Sequence, residues 1–402
     1  MDFSLSEEHL MTERMVQNFT QKEILPVIKE YDRRQEPIPF ALQRLGELGI
    51  LGICIPVRYG GQGMDFISLG LACEGLEAAD TSLRVVMSVH VGLCALTLLQ
   101  WGSEEQKQKF LKPLATGQKI GCGAFTEPGM GSDVSNMSTS AKRDGDFYIL
   151  NGEKMWISLA SKADFAMLTV RTNPDAPSPT NRLSTFIIDL NTPGITRDDI
   201  HGKLGVRAGS TGWINFQDVR IPVENRIGEE GEGFKITMSA FDHGRYTVAS
   251  GAAGIVRAAR DASVRYARER TSFGKSISEH QLIKEKIARI AQDYEISRLL
   301  YLRAGWLKNK GIRNTLETSY AKKFATEASF RAADDAIQIH GAYGYSDEYD
   351  VERYLRNARG AIIYEGSSEI QILIQAGYAL GDRHEKSLRC EMPAYDADYW
   401  QS

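Results

Sequence analysis

The feature that most limits what this chain can become is a double switch of residue pattern along its length. From Ser6 to about Gly117 apolar residues recur at helical spacing, with breaks at Gly60-Gly61, near Asp80-Thr81-Ser82 and at Gly102. From Gly121 to about Asn225 the pattern becomes short β-rich runs, Asp146 to Leu150, Phe165 to Thr172, Leu183 to Leu190 and Trp213 to Val219, separated by Gly, Pro, Asn and Asp turns. Long helical stretches return from Gly233 to about Leu380, broken at Phe273-Gly274-Lys275, at Lys310-Gly311 and at His340 to Gly344. This order predicts an α+β protein: a helical domain over residues 1–120, a β domain over 121–230, a helical bundle over 231–385 and a loosely held tail over 386–402.

A length of 402 residues suits two or three packed modules, at about 150 residues each. The formal net charge of -4 supplies no basic surface, which argues against DNA or RNA as a partner. The acidic start, Met1 to Glu8, lacks the apolar stretch of a secretion signal. No apolar run is expected to reach the ~18 residues of a membrane span. Cys54, Cys73, Cys94, Cys122 and Cys390 form no CxxC pair, which fits free thiols in a reducing compartment, a cytoplasm or, in a eukaryote, a mitochondrial matrix. Without a GxGxxG after a strand, an HExxH or a calcium-loop pattern, neither a nicotinamide fold nor a metal site is expected.

Two segments near the β domain's entry carry chemistry. Thr126-Glu127-Pro128-Gly129-Met130-Gly131-Ser132-Asp133 is turn-rich, with exposed backbone donors and hydroxyls suited to polar ring edges or a phosphate; an ordinary surface turn has the same composition. Asn151-Gly152-Glu153-Lys154-Met155-Trp156-Ile157-Ser158 reads as a turn and then a strand that brings an aromatic plane close to a hydroxyl, and core packing explains a lone Trp equally well. Three further segments follow: Arg270-Thr271-Ser272-Phe273-Gly274-Lys275, Gln338-Ile339-His340-Gly341-Ala342-Tyr343-Gly344 and Tyr364-Glu365-Gly366-Ser367-Ser368-Glu369-Ile370.

Together, in this order, the five segments resemble the acyl-CoA dehydrogenase family from about Ser6 to Asp382. The resemblance implies an N-terminal helical domain, a middle β-barrel, a C-terminal four-helix bundle, a homotetramer, non-covalent FAD, an acyl-CoA substrate and an electron-transfer flavoprotein as acceptor. Carried over position by position, Thr126 and Ser132 would meet the flavin's pyrimidine edge, with Trp156 and Ser158 near N5. Arg270, Ser272, Phe273, Gln281 and Gln338 would hold the pyrophosphate and adenine half, some from a neighbouring subunit, and Ser367 and Glu369 also fall among the cofactor residues. Arg270 suits a phosphate through its planar fork. Ala342 departs from the glycine many members carry there.

Glu365 resembles the family's base, which takes the α-proton while the β-hydride passes to flavin N5. Burial beside the flavin would raise its pKa toward that task, and the backbone amide of the base residue would help hold the enolate oxygen. Members that place the base elsewhere use the position of Gly244, where no side chain exists. Arg245 resembles a CoA contact, and Gly366 stands in the base's own motif.

The acyl group is read from Glu77, Arg84, Ser88 and Tyr364. Arg84 and Ser88 lie four apart in an apolar stretch and share one face of a helix, and a charge embedded there needs an anionic partner. Straight-chain members do not usually carry this arginine; glutaryl-CoA dehydrogenases do, with the matching Ser, Glu and Tyr. The resemblance therefore points to a distal carboxylate held by Arg84, as in glutaryl-CoA or a substituted succinyl-CoA such as benzylsuccinyl-CoA. A structural ion pair of Arg84 with Glu77 or Asp80 is the competing expectation, leaving an ordinary short or branched-chain substrate. Flavin oxidases and a DNA-associated repair relative share the fold; the acidic charge argues against the latter. His90, beside this segment, reads as a packed helix residue.

Overall fold

The computed structural model describes residues 4–401, so Met1, Asp2 and Phe3 of the acidic start and Ser402 of the tail lie outside it. Helix Glu7–Phe19 opens on a reciprocal cap: the Ser6 hydroxyl accepts from the His9 amide, and the His9 ring accepts from the Ser6 amide. Asp65 caps helix Phe66–Ala79 by accepting from the Ser68 amide at 2.8 Å. The chain then breaks at the extended Asp80, whose carboxylate takes the Ser82 amide at 2.8 Å and starts the next helix.

That helix, Thr81–Trp101, corrects one expectation. Its 21 residues are long and apolar enough to cross a membrane, and the helix is buried inside the fold from end to end. Its middle, Met87–Leu96, is wound wider than an α-helix, a departure that concentrates at functional sites.

Eight strands follow: β1 (Gly121–Ala124), β2 (Ser140–Asp144), β3 (Phe147–Ser158), β4 (Phe165–Arg171), β5 (Leu183–Asp189), β6 (Ile195–Asp199), β7 (Thr211–Pro222) and β8 (Arg226–Ile227). Their order is β6-β7-β3-β2-β4-β5-β8, with β1 beside β4. The β2–β4 register is one parallel pair, Ser140 with Arg171, so the barrel-like sheet consists of two four-stranded ladders joined at a point. Tyr148 of β3 meets Phe186 of β5 edge-on at 4.9 Å, packing the inner faces together. Asn151-Gly152 does not turn the chain. It lies inside β3 at a register shift against β7, a β-bulge in which Gly152 takes φ +135°.

Helices Gly233–Glu269, Gln281–Asn309, Thr315–His340, Val351–Ile363 and Ser368–Ala379 complete the molecule. The first crosses the N-terminal helices backbone to backbone. A Cβ on Gly254 would stand 2.1 Å from the Glu74 carbonyl oxygen, and one on Gly92 would stand 3.3 Å from the Gly244 Cα. One apolar core therefore runs from the N-terminal helices through the sheet into this long helix, and a second fills the bundle.

The tail is not loosely held. Trp400 is fully buried, edge-on to Phe66 at 6.0 Å; the Tyr395 amide donates to the Asn309 carbonyl at 2.8 Å and the Gln401 side chain to the Gly63 carbonyl at 3.0 Å. Its terminal aromatics are what dock it.

Candidate active site

Glu365 sits in the short link between helices Val351–Ile363 and Ser368–Ala379, in left-handed conformation with φ +52°, and Gly366 follows at +85°. A glutamate held there costs roughly 1–2 kcal/mol, which surrounding structure must offset. The offset is visible. Arg245 Nε donates to the Glu365 carbonyl at 3.3 Å, Gln371 Nε2 to the Gly366 carbonyl at 3.0 Å, and Lys322 Nζ to the carbonyls of Gly366 and Ala361 at 2.8 and 2.9 Å. Oε2 of Glu365 is buried and, among the described residues, has no hydrogen-bond partner; a Cβ on Gly244 would lie 2.0 Å from it. Burial raises the Glu365 pKa, against the charges of Arg84, Lys322 and Arg245 and the Ser88 hydroxyl.

Arg84 is fully buried beside this link. Its Nε donates to Glu77 Oε2 at 2.5 Å, Nη1 to the Ser88 hydroxyl at 2.7 Å and Nη2 to the Tyr364 hydroxyl at 2.5 Å; the Thr81 hydroxyl donates to Glu77 Oε1 at 2.9 Å. Ser88 also meets the Thr247 hydroxyl at 2.7 Å. Asp80, the other carboxylate considered for Arg84, pairs instead with Arg353 at 3.0 Å. Gly251 gives the Arg84–Glu77 pair its room: a Cβ there would lie 1.9 Å from Glu77 Oε2. Arg245 is likewise no free surface cation, being buried and paired with Asp242 at 3.2 Å.

A second group forms at the β domain. Residues Glu127 to Met130 close a tight turn, and the Met155 amide donates to the Thr126 carbonyl at 2.9 Å, drawing the two sequence segments together. Trp156 is the extra residue of a bulge in β3, at φ +62°, which turns its ring outward to 57 % exposure beside the half-buried Ser158. Thr126 is half-buried and Ser132 exposed, and around Gly129 and Gly131 an added Cβ would meet nothing within 4 Å.

The third group lies at one end of the bundle. Phe273-Gly274, both at positive φ, turn a tight hairpin between Thr271–Ser272 and Lys275–Ser276. Phe273 is 94 % exposed at its tip; Arg270, Gln281 and Gln338 are exposed and Ser272 is half-buried. Tyr266 stacks on His340 at 4.2 Å, tying this end to the helix that carries Gln338. Ser367 stands at the N-cap of Ser368–Ala379 with no side-chain cap bond, and Glu369 in its first turn is exposed. Among the described residues no hydrogen bond or ring contact joins the hairpin group to the Trp156 group.

Three family models cover nearly the whole chain: "Acyl-CoA dehydrogenase, N-terminal domain" over residues 6–118, "Acyl-CoA dehydrogenase, middle domain" over 122–219 and "Acyl-CoA dehydrogenase, C-terminal domain" over 231–379. The chain belongs to the acyl-CoA dehydrogenase family. A probable acyl-CoA dehydrogenase of Bacillus subtilis, YngJ, is 42% identical over 94% of this chain and 99% of its own. The mitochondrial short-chain specific acyl-CoA dehydrogenase of Mus musculus is 40% identical over 94% of this chain and 91% of its own. Among solved structures, a glutaryl-coenzyme A dehydrogenase in complex with glutaryl-CoA superposes with TM-score 0.91 at 37% identity, over 97% of this chain and 99% of that one. A chain from a structure reported for the electron transferring flavoprotein of Acidaminococcus fermentans reaches 0.92 at 38% identity, over 94% and 100%.

Acyl-CoA dehydrogenases use FAD, and this chain's residues fit it. An outward-turned Trp156, open glycines in the Thr126 to Ser132 loop and an exposed Arg270 supply an aromatic plane, backbone donors and a phosphate partner. The residues that sequence reasoning left without roles are those that hold the others. Glu127 accepts from Lys154 Nζ at 2.9 Å and from the Ser138 and Thr139 amides at 2.6 and 3.0 Å, pinning the loop to β3. Burial opposes its charge, yet Lys154 and the Ser138 donors bring its pKa down to about 2; burial brings Lys154 down to about 8. Lys322 and Gln371 do the same for Glu365. Their signal was polar residues at buried helical positions, with Lys322 in phase with Thr318, Ser319, Ala325, Thr326 and Ser329.

Proposed function

We propose that in this FAD-dependent acyl-CoA dehydrogenase Glu365 is the base and that the substrate carries a distal carboxylate toward Arg84. The observation that carries this reading is Glu365 Oε2, unpartnered among the described residues, in a site that also holds the buried Arg84 and Ser88 and the half-buried Tyr364. Desolvation brings the carboxylate's basicity toward that of a thioester enolate, and the Glu365 amide is a donor for the enolate oxygen. When bound, FAD supplies the acceptor for the β-hydride, with Thr126, Ser132, Trp156 and Ser158 at its ring and Arg270, Ser272, Phe273, Gln281, Gln338, Ser367 and Glu369 along the rest. Arg245 and Gly366 shape the CoA side. Arg84 Nη1 faces the Ser88 hydroxyl, and Nη2 is shared between the Tyr364 hydroxyl and, at 3.4 Å, Glu77 Oε1; the two hydroxyls are neutral partners that a carboxylate can displace. Glutaryl-CoA is the simplest such substrate, and a benzylsuccinyl-CoA would use the same arginine in a wider pocket.

A second reading, a short or branched-chain substrate, is favoured by the 2.5 Å Arg84–Glu77 pair, which already balances the charge. Anaerobic flavin bleaching with glutaryl-, benzylsuccinyl- and butyryl-CoA separates the two. Arg84→Met is best combined with Glu77→Gln, because removing one partner of a buried pair costs about 3–5 kcal/mol. Fast bleaching by a dicarboxylic thioester, lost in the double variant, supports the clamp; bleaching by butyryl-CoA indifferent to that variant sinks it. Slow reoxidation in air with rapid turnover by an electron-transfer flavoprotein distinguishes the dehydrogenase from an oxidase. Exposed Phe273, Leu282, Leu299 and Trp306 on the bundle support a homotetramer, measurable by light scattering. Five free cysteines, four of them buried, support a reducing cytoplasm or matrix.

A further inference from the structure

Lys322 lies in the middle of helix Thr315–His340 and is fully buried. A lysine that gives up water this completely needs acceptors, and its two lie on the flanks of the base: the carbonyl of Ala361, in the last turn of one helix, and that of Gly366, just before the next. Glu365, at φ +52°, stands between them. An unconstrained link would relax that residue toward negative φ and swing its carboxylate off the space beside Gly244. We propose that Lys322 is a positioning residue of this active site: beside Arg245 and Gln371, which each hold one carbonyl of the link, its ammonium grips both sides of Glu365, fixing the direction of the carboxylate and of the Glu365 amide, and lends the carboxylate a positive neighbour.

This rests on Glu365 being the base. The charged groups that act on Lys322 are Glu365, which stabilises its charge, Arg245 and Arg84, which oppose it, and Glu327 of its own helix, which supports it. Burial outweighs the carboxylates and brings Lys322 down to about 7, so the grip weakens as pH rises past neutrality.

The test isolates proton abstraction from oxidation. A CoA thioester with α-hydrogens but a fully substituted β-carbon, 3,3-dimethylbutanoyl-CoA, is incubated in D2O with holoenzyme, and α-deuterium incorporation is followed by NMR. Wild type is expected to exchange and Glu365→Gln not to; if both behave alike, the assignment of the base fails and the role of Lys322 falls with it. With that control in place, Lys322→Met is expected to exchange about 10–100-fold more slowly. FAD content and the apparent Kd for the thioester should stay within about threefold. The acid limb of its exchange profile should move to higher pH, because Glu365 loses a neighbouring cation. Lys322→Gln, which restores a donor without charge, should recover part of the rate and none of the pH shift. An unchanged rate and acid limb in Lys322→Met, or loss of folding in both variants, overturns the proposal in favour of a purely structural lysine.

Discussion

A methyl group on Gly244 would stand 2.0 Å from Oε2 of Glu365, so one volume serves as the missing side chain of one residue and the carboxylate of the other. Gly244→Ala, an ordinary stabilising change on a helix, should here push the carboxylate aside. Dehydrogenation is expected to fall about 100-fold with CoA-ester binding nearly unchanged, which steady-state kinetics on the folded, flavin-loaded variant would check. The sequence made Glu365 legible because it lies in a segment with recognisable neighbours. It left Lys322 unread because a lysine in an Ala-rich helix is usually solvated, and only the folded chain brings Ala361 and Gly366 to it.

At the level of elements, the buried Glu127–Lys154 pair fastens the Thr126 loop to β3. Glu127→Gln leaves an uncompensated ammonium and is expected to cost about 3–5 kcal/mol, with FAD released at lower denaturant concentration than in wild type. His90 fastens helix Thr81–Trp101 to β1: its Nδ1 accepts from the Gly121 amide at 3.0 Å, so Nε2 carries the proton toward the Leu114 carbonyl. Burial depresses its pKa from 6.5 to about 4. Between those values the unfolded chain takes a proton that the folded one refuses, so this contribution to stability falls as pH drops through that window. Urea midpoints at pH 7 and pH 5 should differ, and differ less in His90→Gln. Strand positions were legible because β4 and β5 are short runs of apolar and β-favouring residues, buried almost end to end and bounded by turns. Asn151-Gly152 misled because Asn-Gly is a strong turn signal, overridden here by β7 pairing on both sides of it.

Over the whole molecule, the tail crosses from the bundle to the N-terminal helices and seats Trp400 against Phe66. Trp400→Ala should cost about 3–5 kcal/mol, lowering the melting temperature while leaving the catalytic constants near wild type; unchanged melting would mean the tail adds nothing to the fold. Its docking was illegible in the sequence because the partners, Gly63, Phe66 and Asn309, lie far away along the chain. The apolar helix Thr81–Trp101 has a related dependence on distant residues, and it carries a cost in time. Helix Gly233–Glu269, which covers it, is translated more than a hundred residues later. At ribosomal speeds of about 5–20 residues per second, a segment greasy enough for a bilayer is left uncovered for on the order of ten seconds. Synthesis of this enzyme should therefore depend on holding chaperones that bind the nascent chain between those two helices.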